Sequence, residues 1–341
     1  MSKTILEVNN LQTYFFTGKT SIVKAVDDVS FLVNSGETFA FVGESGSGKS
    51  ITCRSILRLI HNPGKIINGE VKYNGIDIFK LSKNEMRKIR GKEIGIIFQE
   101  PMIALNPVMK IKEQIYEAFL YSNMTKYEKY HKSVELLRLV GIQFPEQRLE
   151  EYVHQYSGGM LQRVMIATVL AATPKILIAD EPTTALDVTM QNQIIKLLIE
   201  LKSQFNMSII LVTHDLGVVA NMSDRVAVMY AGRIVEMANT LTLFSKPKHP
   251  YTIGLLRSIP TGRKRGQYLE SINGQPPELD NLPPGCSFNP RCRYKDKRCI
   301  ESIPKMIEVE SGHFSACHYI EKLTFETGIE VNNVGAVYGE N

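Results

Sequence analysis

The chain lacks any apolar run long enough to cross a bilayer: no stretch of its 341 residues approaches about 18 uninterrupted apolar side chains. The opening Met1-Ser2-Lys3-Thr4-Ile5-Leu6-Glu7 has no apolar core of a secretory leader. Together these absences predict a chain that neither spans a membrane nor is exported, and works in the cytoplasm. Charge of one sign is also in short supply. A formal net charge of +5 is small for this length and argues for a solvated mixed-sign surface, not a nucleic-acid footprint, although it suits work beside an anionic leaflet. Internal repeats and low-complexity tracts are missing. Cysteine is almost absent from the first 285 residues, where Cys53 stands alone, and then Cys286, Cys292, Cys299 and Cys317 crowd into one C-terminal stretch. The length suffices for one large domain with an appendage, or for two domains.

What the chain does have is Gly43-Glu44-Ser45-Gly46-Ser47-Gly48-Lys49-Ser50, which satisfies the phosphate-loop pattern G-x-x-x-x-G-K-[ST]. The apolar run Thr38–Val42 enters it as a buried strand, and Ile51–Ile60 leaves it with helical spacing of apolar residues. Three glycines let the backbone curl so that its N–H groups face phosphate oxygens, and the following helix adds the positive end of its dipole. Lys49 is expected on the β- and γ-phosphates of a nucleoside triphosphate, and the Ser50 hydroxyl on Mg²⁺.

Strand-like runs recur at Ile5–Val8, Val29–Val33, Thr38–Val42, Ile94–Phe98, Ile176–Ala179, Ile209–Thr213 and Val226–Tyr230, with helical patterns between several of them. This alternation predicts an α/β nucleotide-binding domain. Helices expected over Ile111–Tyr121 and Lys126–Val140 form an inserted helical subdomain, about residues 100–172. The strand Ile176–Ala179 ends in Asp180 and Glu181, carboxylates at the strand edge where open α/β sheets bind ligands. Asp180 suits Mg²⁺, and Glu181 can orient an attacking water toward the γ-phosphate.

Tyr156-Ser157-Gly158-Gly159-Met160-Leu161-Gln162, opening a helical stretch, resembles the signature of the ATP-binding cassette family. Met160 stands where the commonest form has Gln. The other family marks follow in order: Gln99 resembles the Q-loop glutamine, Ala185-Leu186-Asp187 the D-loop and His214 the switch histidine. The resemblance implies that Ser157, Gly158 and Gly159 complete an ATP site on a second cassette, while Gln99, Glu181 and His214 attend the γ-phosphate, with Gln99 also near Mg²⁺. An aromatic near the N-terminus would stack on adenine; Phe15 fits the spacing best, with Tyr14 and Phe16 close by. Longer stretches, among them Phe98-Gln99-Glu100-Pro101-Met102, Glu181-Pro182-Thr183-Thr184 and His249-Pro250-Tyr251-Thr252, are similar to oligopeptide and dipeptide importer ATPases. That similarity implies an ATPase on the cytoplasmic face of the membrane, paired with a homologous ATPase subunit and two transmembrane permeases, and served by an extracytoplasmic solute-binding protein. Nickel and glutathione importers share the architecture. A cassette acting on nucleic acid or ribosomes is the reading from another class; the segment between Ser50 and Ser157 holds no sustained heptads to support it.

A boundary is expected near residue 260, before the Pro-containing breaks Gln275-Pro276-Pro277-Glu278 and Leu282-Pro283-Pro284-Gly285. This gives a nucleotide-binding domain over 1–260, a cysteine-containing extension over 261–325 and a flexible tail over 326–341. The cysteine spacings lack the close pairs of zinc ribbons, and disulfides are disfavoured in the cytosol. The tail resembles the C-terminal region of peptide-importer ATPases, which implies a [4Fe–4S] cluster on Cys286, Cys292, Cys299 and Cys317; zinc and unligated buried thiols are the alternatives.

Overall fold

The computed structural model describes residues 3–18, 21–184, 186–259 and 271–323. The expected boundary near residue 260, the expected tail at 326–341 and Ala185 of the D-loop lie outside the described residues. Among the described residues twelve strands follow one another: β1 (Thr4–Phe16), β2 (Ile22–Asn34), β3 (Thr38–Val42), β4 (Gly64–Tyr73), β5 (Ile76–Asp77) and β6 (Ile94–Ile97) come first. Then come β7 (Ile176–Asp180), β8 (Ser208–Val212), β9 (Arg225–Tyr230), β10 (Arg233–Asn239), β11 (Ile307–Glu310) and β12 (His313–Ser315). Two compact units share them, one drawn from residues up to Phe79 and from Val212 onward, the other spanning Lys80–Leu211.

In the first unit β2, β1, β4 and β5 form an antiparallel sheet in that order. Along β2, Val29, Phe31 and Val33 are buried while Ser30 and Leu32 face out, the period-two pattern of a strand with one covered face. β3 is buried at all five positions, as expected of a strand covered on both sides. It pairs in parallel with β9, Ala40 opposite Val226. Phe31 stacks on Phe39 at 5.1 Å and meets Phe41 edge-on at 4.9 Å, so the two sheets of this unit share an aromatic core. A two-residue turn at Ala231 and Gly232, both at positive φ, returns β9 into antiparallel β10.

The C-terminal extension continues that sheet. β12 pairs with β10, Glu236 opposite Ser315, and β11 pairs with β12. The seam is closed by a wholly buried carboxylate and imidazole, Glu236 Oε1 to His313 Nε2 at 2.8 Å.

In the second unit β7 lies between β8 and β6, and runs parallel to β6 with Ala179 opposite Ile97. Helices supply the remainder. Lys126–Leu139 starts at a capping box in which Thr125 and Glu128 satisfy each other's backbone N–H groups. Gly158–Ala171 buries Leu161, Val164, Met165, Ile166 and Leu170. The helix expected over 111–121 stops at Ala118, after which Phe119–Ser122 closes in tight turns.

Candidate active site

The phosphate loop leaves β3 with a backbone that only glycine permits at two points. Gly43 has φ +150° and a Cβ there would stand 2.2 Å from the Met229 carbonyl oxygen; Gly48 has φ +105° and would meet the Ala25 carbonyl oxygen at 2.3 Å. The loop is therefore pressed against β9 and β2. Gly48 also begins the helix Lys49–Ile56 without a side-chain cap, and a helix N-terminus that follows such a loop is the arrangement that binds anions. Lys49 is 4% exposed, and its ammonium donates to the Gly43 carbonyl at 2.8 Å, the Glu44 carbonyl at 2.9 Å and Ser47 Oγ at 3.3 Å.

His214 stands beside the same loop by construction. The Thr213 N–H donates to the Phe41 carbonyl at 3.1 Å, two residues before Gly43, and the Asp215 carboxylate caps the helix Leu216–Met222 by accepting from Gly217 and Val218. Both neighbours of His214 are anchored and its own side chain is exposed.

The three N-terminal aromatics separate by strand parity. Thr13 bonds Ser55 of the loop's helix at 2.7 Å, so Phe15, on the same face of β1, lies on the phosphate-loop side. Its ring packs over Gly64, where a Cβ would be 2.7 Å from it. Tyr14 points the other way and donates to Asp27 Oδ1 at 2.6 Å; Phe16 is exposed, with Lys65 over its ring. Burial and the Asp27 contact push the Tyr14 phenol up to about 12.

The second unit carries the remaining candidate residues. Because β6 and β7 are parallel and in register, Gln99 and Glu181 emerge at the same edge, and Gln99 Nε2 donates to Glu181 Oε2 at 3.2 Å. Thr184 Oγ1 donates to the same oxygen at 2.8 Å. Glu181 has φ +48°, uncommon for a residue with a Cβ and a form of backbone strain found at functional positions. Asp180 is wholly buried at the end of β7. Ser157 caps the helix Gly158–Ala171, accepting weakly from the Met160 N–H at 3.4 Å, and Ser157 and Gly158 are exposed. A Cβ on Gly158 would meet nothing within 4 Å, whereas one on Gly159 would meet Met190 at 2.4 Å. Asp187 of the D-loop caps the helix Val188–Phe205.

None of the five cysteines is joined in a disulfide. Among the described residues no group of three or more His, Cys, Asp or Glu is placed to hold a metal ion. The four C-terminal thiols nevertheless lie within one another's electrostatic reach. Burial first, and the neighbouring thiols after it, push Cys286 up to about 11 and Cys317 up to about 12, and raise Cys292. Each of these three sulfurs receives the backbone N–H two residues further on, at 3.4 Å from Tyr294 to Cys292 and from Tyr319 to Cys317, and from Phe288 to Cys286.

Two loop contacts were not foreseen from the motif. Tyr251 Oη accepts from the Glu44 N–H at 2.8 Å, and Arg291 grips the Glu44 carboxylate with both arms of its guanidinium. Tyr251 sits in the His249-Pro250-Tyr251-Thr252 stretch already noted; Arg291 had no signal beyond standing next to Cys292.

Residues 26–184 match the family model described as ABC transporter, and residues 235–299 match the one described as oligopeptide/dipeptide transporter, C-terminal region. The chain is 51% identical over 321 residues, 94% of its length and 98% of the relative's, to the oligopeptide transport ATP-binding protein AppD of Bacillus subtilis (strain 168). It is 46% identical over 314 residues, 92% of each chain, to the oligopeptide transport ATP-binding protein OppD of Escherichia coli (strain K12). Among solved structures, the dimeric post-hydrolysis state of the ATP-binding cassette MJ0796 bound to ADP and Pi is similar with a TM-score of 0.62 at 29% identity, covering 69% of this chain and 98% of that one.

Proposed function

Since this chain belongs to the ATP-binding proteins of the ABC transporter family, we propose that it hydrolyses ATP to power peptide uptake through a membrane importer. The carrying observation is the similarity to oligopeptide transport ATP-binding proteins over nearly the whole of both chains, extension included. No helix among the described residues is long and apolar enough to cross a membrane, and the pathway for the peptide is proposed to be formed by two partner permeases. Apolar side chains that this chain leaves exposed next to the Gln99 segment, Met102, Ile103 and Val108, support that segment as the permease contact.

In this reading the loop amides from Gly43 to Ser50 and the Lys49 ammonium bind the phosphates, and Phe15 stacks on adenine. Ser50 and Asp180 offer hard oxygen donors of the kind Mg²⁺ takes, and a wholly buried carboxylate is suited to a cation. Mg²⁺ supplies positive charge to the β- and γ-oxygens when bound. Glu181, held by Gln99 and Thr184, orients the attacking water, and His214 contacts the γ-phosphate. Exposed Ser157 and Gly158, with Gly159, serve the ATP of a homologous partner subunit.

The extension is proposed to hold a [4Fe–4S] cluster on Cys286, Cys292, Cys299 and Cys317. Four sulfur donors within electrostatic reach of one another support this reading, and the backbone N–H bonds to three of them favour thiolate against the burial that raises them. Purified with its permeases in proteoliposomes, the protein is expected to hydrolyse ATP faster when a peptide-loaded binding protein is added. Stimulation by nickel or glutathione instead of peptides would reassign the solute; stimulation by none would overturn the importer reading.

A further inference from the structure

We infer that Arg291, carried by the cysteine extension, is a positioning residue for the phosphate loop, acting through Glu44. The inference rests on the ATPase reading of that loop. Glu44 is held at three points. Its N–H goes to Tyr251 Oη at 2.8 Å, its carbonyl accepts from Lys49 Nζ at 2.9 Å, and its carboxylate takes two bonds from Arg291, at 2.6 and 2.9 Å. One residue thus joins the extension to the lysine of the phosphate grip.

The guanidinium is itself fixed. Its side chain is only 4% exposed, its Nε donates to the Asn273 carbonyl at 3.0 Å, and it lies over the rings of Tyr230 and Phe288. Tyr230, Tyr251 and Phe288 pack mutually, with ring centres 4.7 to 5.4 Å apart, so the two residues that hold Glu44 share one aromatic bed. A planar two-armed donor on a buried mount fixes the carboxylate in direction as well as distance, which a lysine cannot do.

Two consequences reach the nucleotide. Glu44 would otherwise present an uncompensated carboxylate on a loop whose ligand is a polyanion, and Arg291 neutralises it. It also fixes the carbonyl on which the Lys49 ammonium rests. The turn Asn289–Arg291 lies between Cys286 and Cys292, so whatever the thiols hold shares a mount with this clamp.

The test is Mg·ATP binding to the full-length protein, with wild-type binding serving separately as the check on the ATPase reading. Arg291→Met is expected to weaken Mg·ATP about 10-fold with the thermal midpoint of the nucleotide-free protein little changed, and Arg291→Lys about 3-fold. Adding Glu44→Gln to Arg291→Met should recover affinity to within about 3-fold of wild type, because the repelling carboxylate is gone. A role confined to packing predicts no such recovery. Unchanged affinity in Arg291→Met, or a double variant no better than the single one, would overturn the inference. If Arg291→Met does not fold, Arg291→Lys with and without Glu44→Gln carries the same comparison.

Discussion

Gln99 and Glu181, 82 residues apart in the chain, meet at 3.2 Å at the shared edge of two parallel strands. The amide and the Thr184 hydroxyl both donate to Glu181 Oε2, which fixes the direction in which the carboxylate points. Glu181→Gln keeps the size, removes the negative charge and replaces one acceptor oxygen with an NH₂ donor. It is expected to bind ATP normally and to lower the rate of hydrolysis by at least about 100-fold, measured as phosphate release. Turnover near wild type would remove Glu181 from the proposed mechanism.

Glycines at two ends of the machinery should fail in different ways. Gly48→Ala puts a methyl group against the Ala25 carbonyl at positive φ, so ATP binding should be lost together with some stability. Gly158→Asp meets open space, so the variant should fold and bind ATP normally in isolation, yet fail to hydrolyse it with its partner subunit. Nucleotide binding, thermal midpoint and turnover separate the two, and full turnover in Gly158→Asp would count against a trans role for the loop at Ser157.

Acid should unfold the protein partly through His249. Wholly buried, it is pushed down to about 3 by desolvation, whereas an unfolded histidine titrates near about 6.5. Its folded value is the lower one, so the associated stability is present above about pH 6.5 and is lost as pH falls toward 3, at up to about 1.4 kcal/mol per pH unit. The thermal midpoint should drop between pH 6.5 and 5. His249→Asn, which can still accept from the Tyr251 N–H, should flatten that slope; an equally steep fall would place the acid-sensitive group elsewhere.

The four C-terminal thiols give a chemical readout. Anaerobically purified protein is expected to be brown and to carry about four iron and four sulfide per chain, and Cys292→Ala to lose most of both. Colourless protein with zinc, or with no metal, would refute the cluster.

The ATP-binding half of this chain is legible because its constraints are local. A loop of fixed length, strands such as Thr38–Val42 and Ile176–Asp180 with every residue buried, and carboxylates placed at a strand end all mark themselves in a short window. β4 escaped notice because Gly64-Lys65-Ile66-Ile67-Asn68-Gly69-Glu70 is polar and glycine-broken, and becomes a strand through its pairing with β1. β12 is three residues long and owes its existence to β10, 77 positions earlier at the Glu236–His313 contact. Arg291 was invisible for the same reason, since its partner is chosen by the fold and not by spacing.

The Arg291–Glu44 pair spans 247 residues, and this imposes an order on biosynthesis. A ribosome that has already made the phosphate loop, the paired acids and His214 has still not made the arginine that holds Glu44, nor the strand that completes the edge of β10. Until the extension emerges, the nascent protein carries every recognised ATPase motif without its clamp. On the inference that Arg291 positions the loop, the growing chain reaches full affinity for Mg·ATP only after the extension has folded onto Glu44.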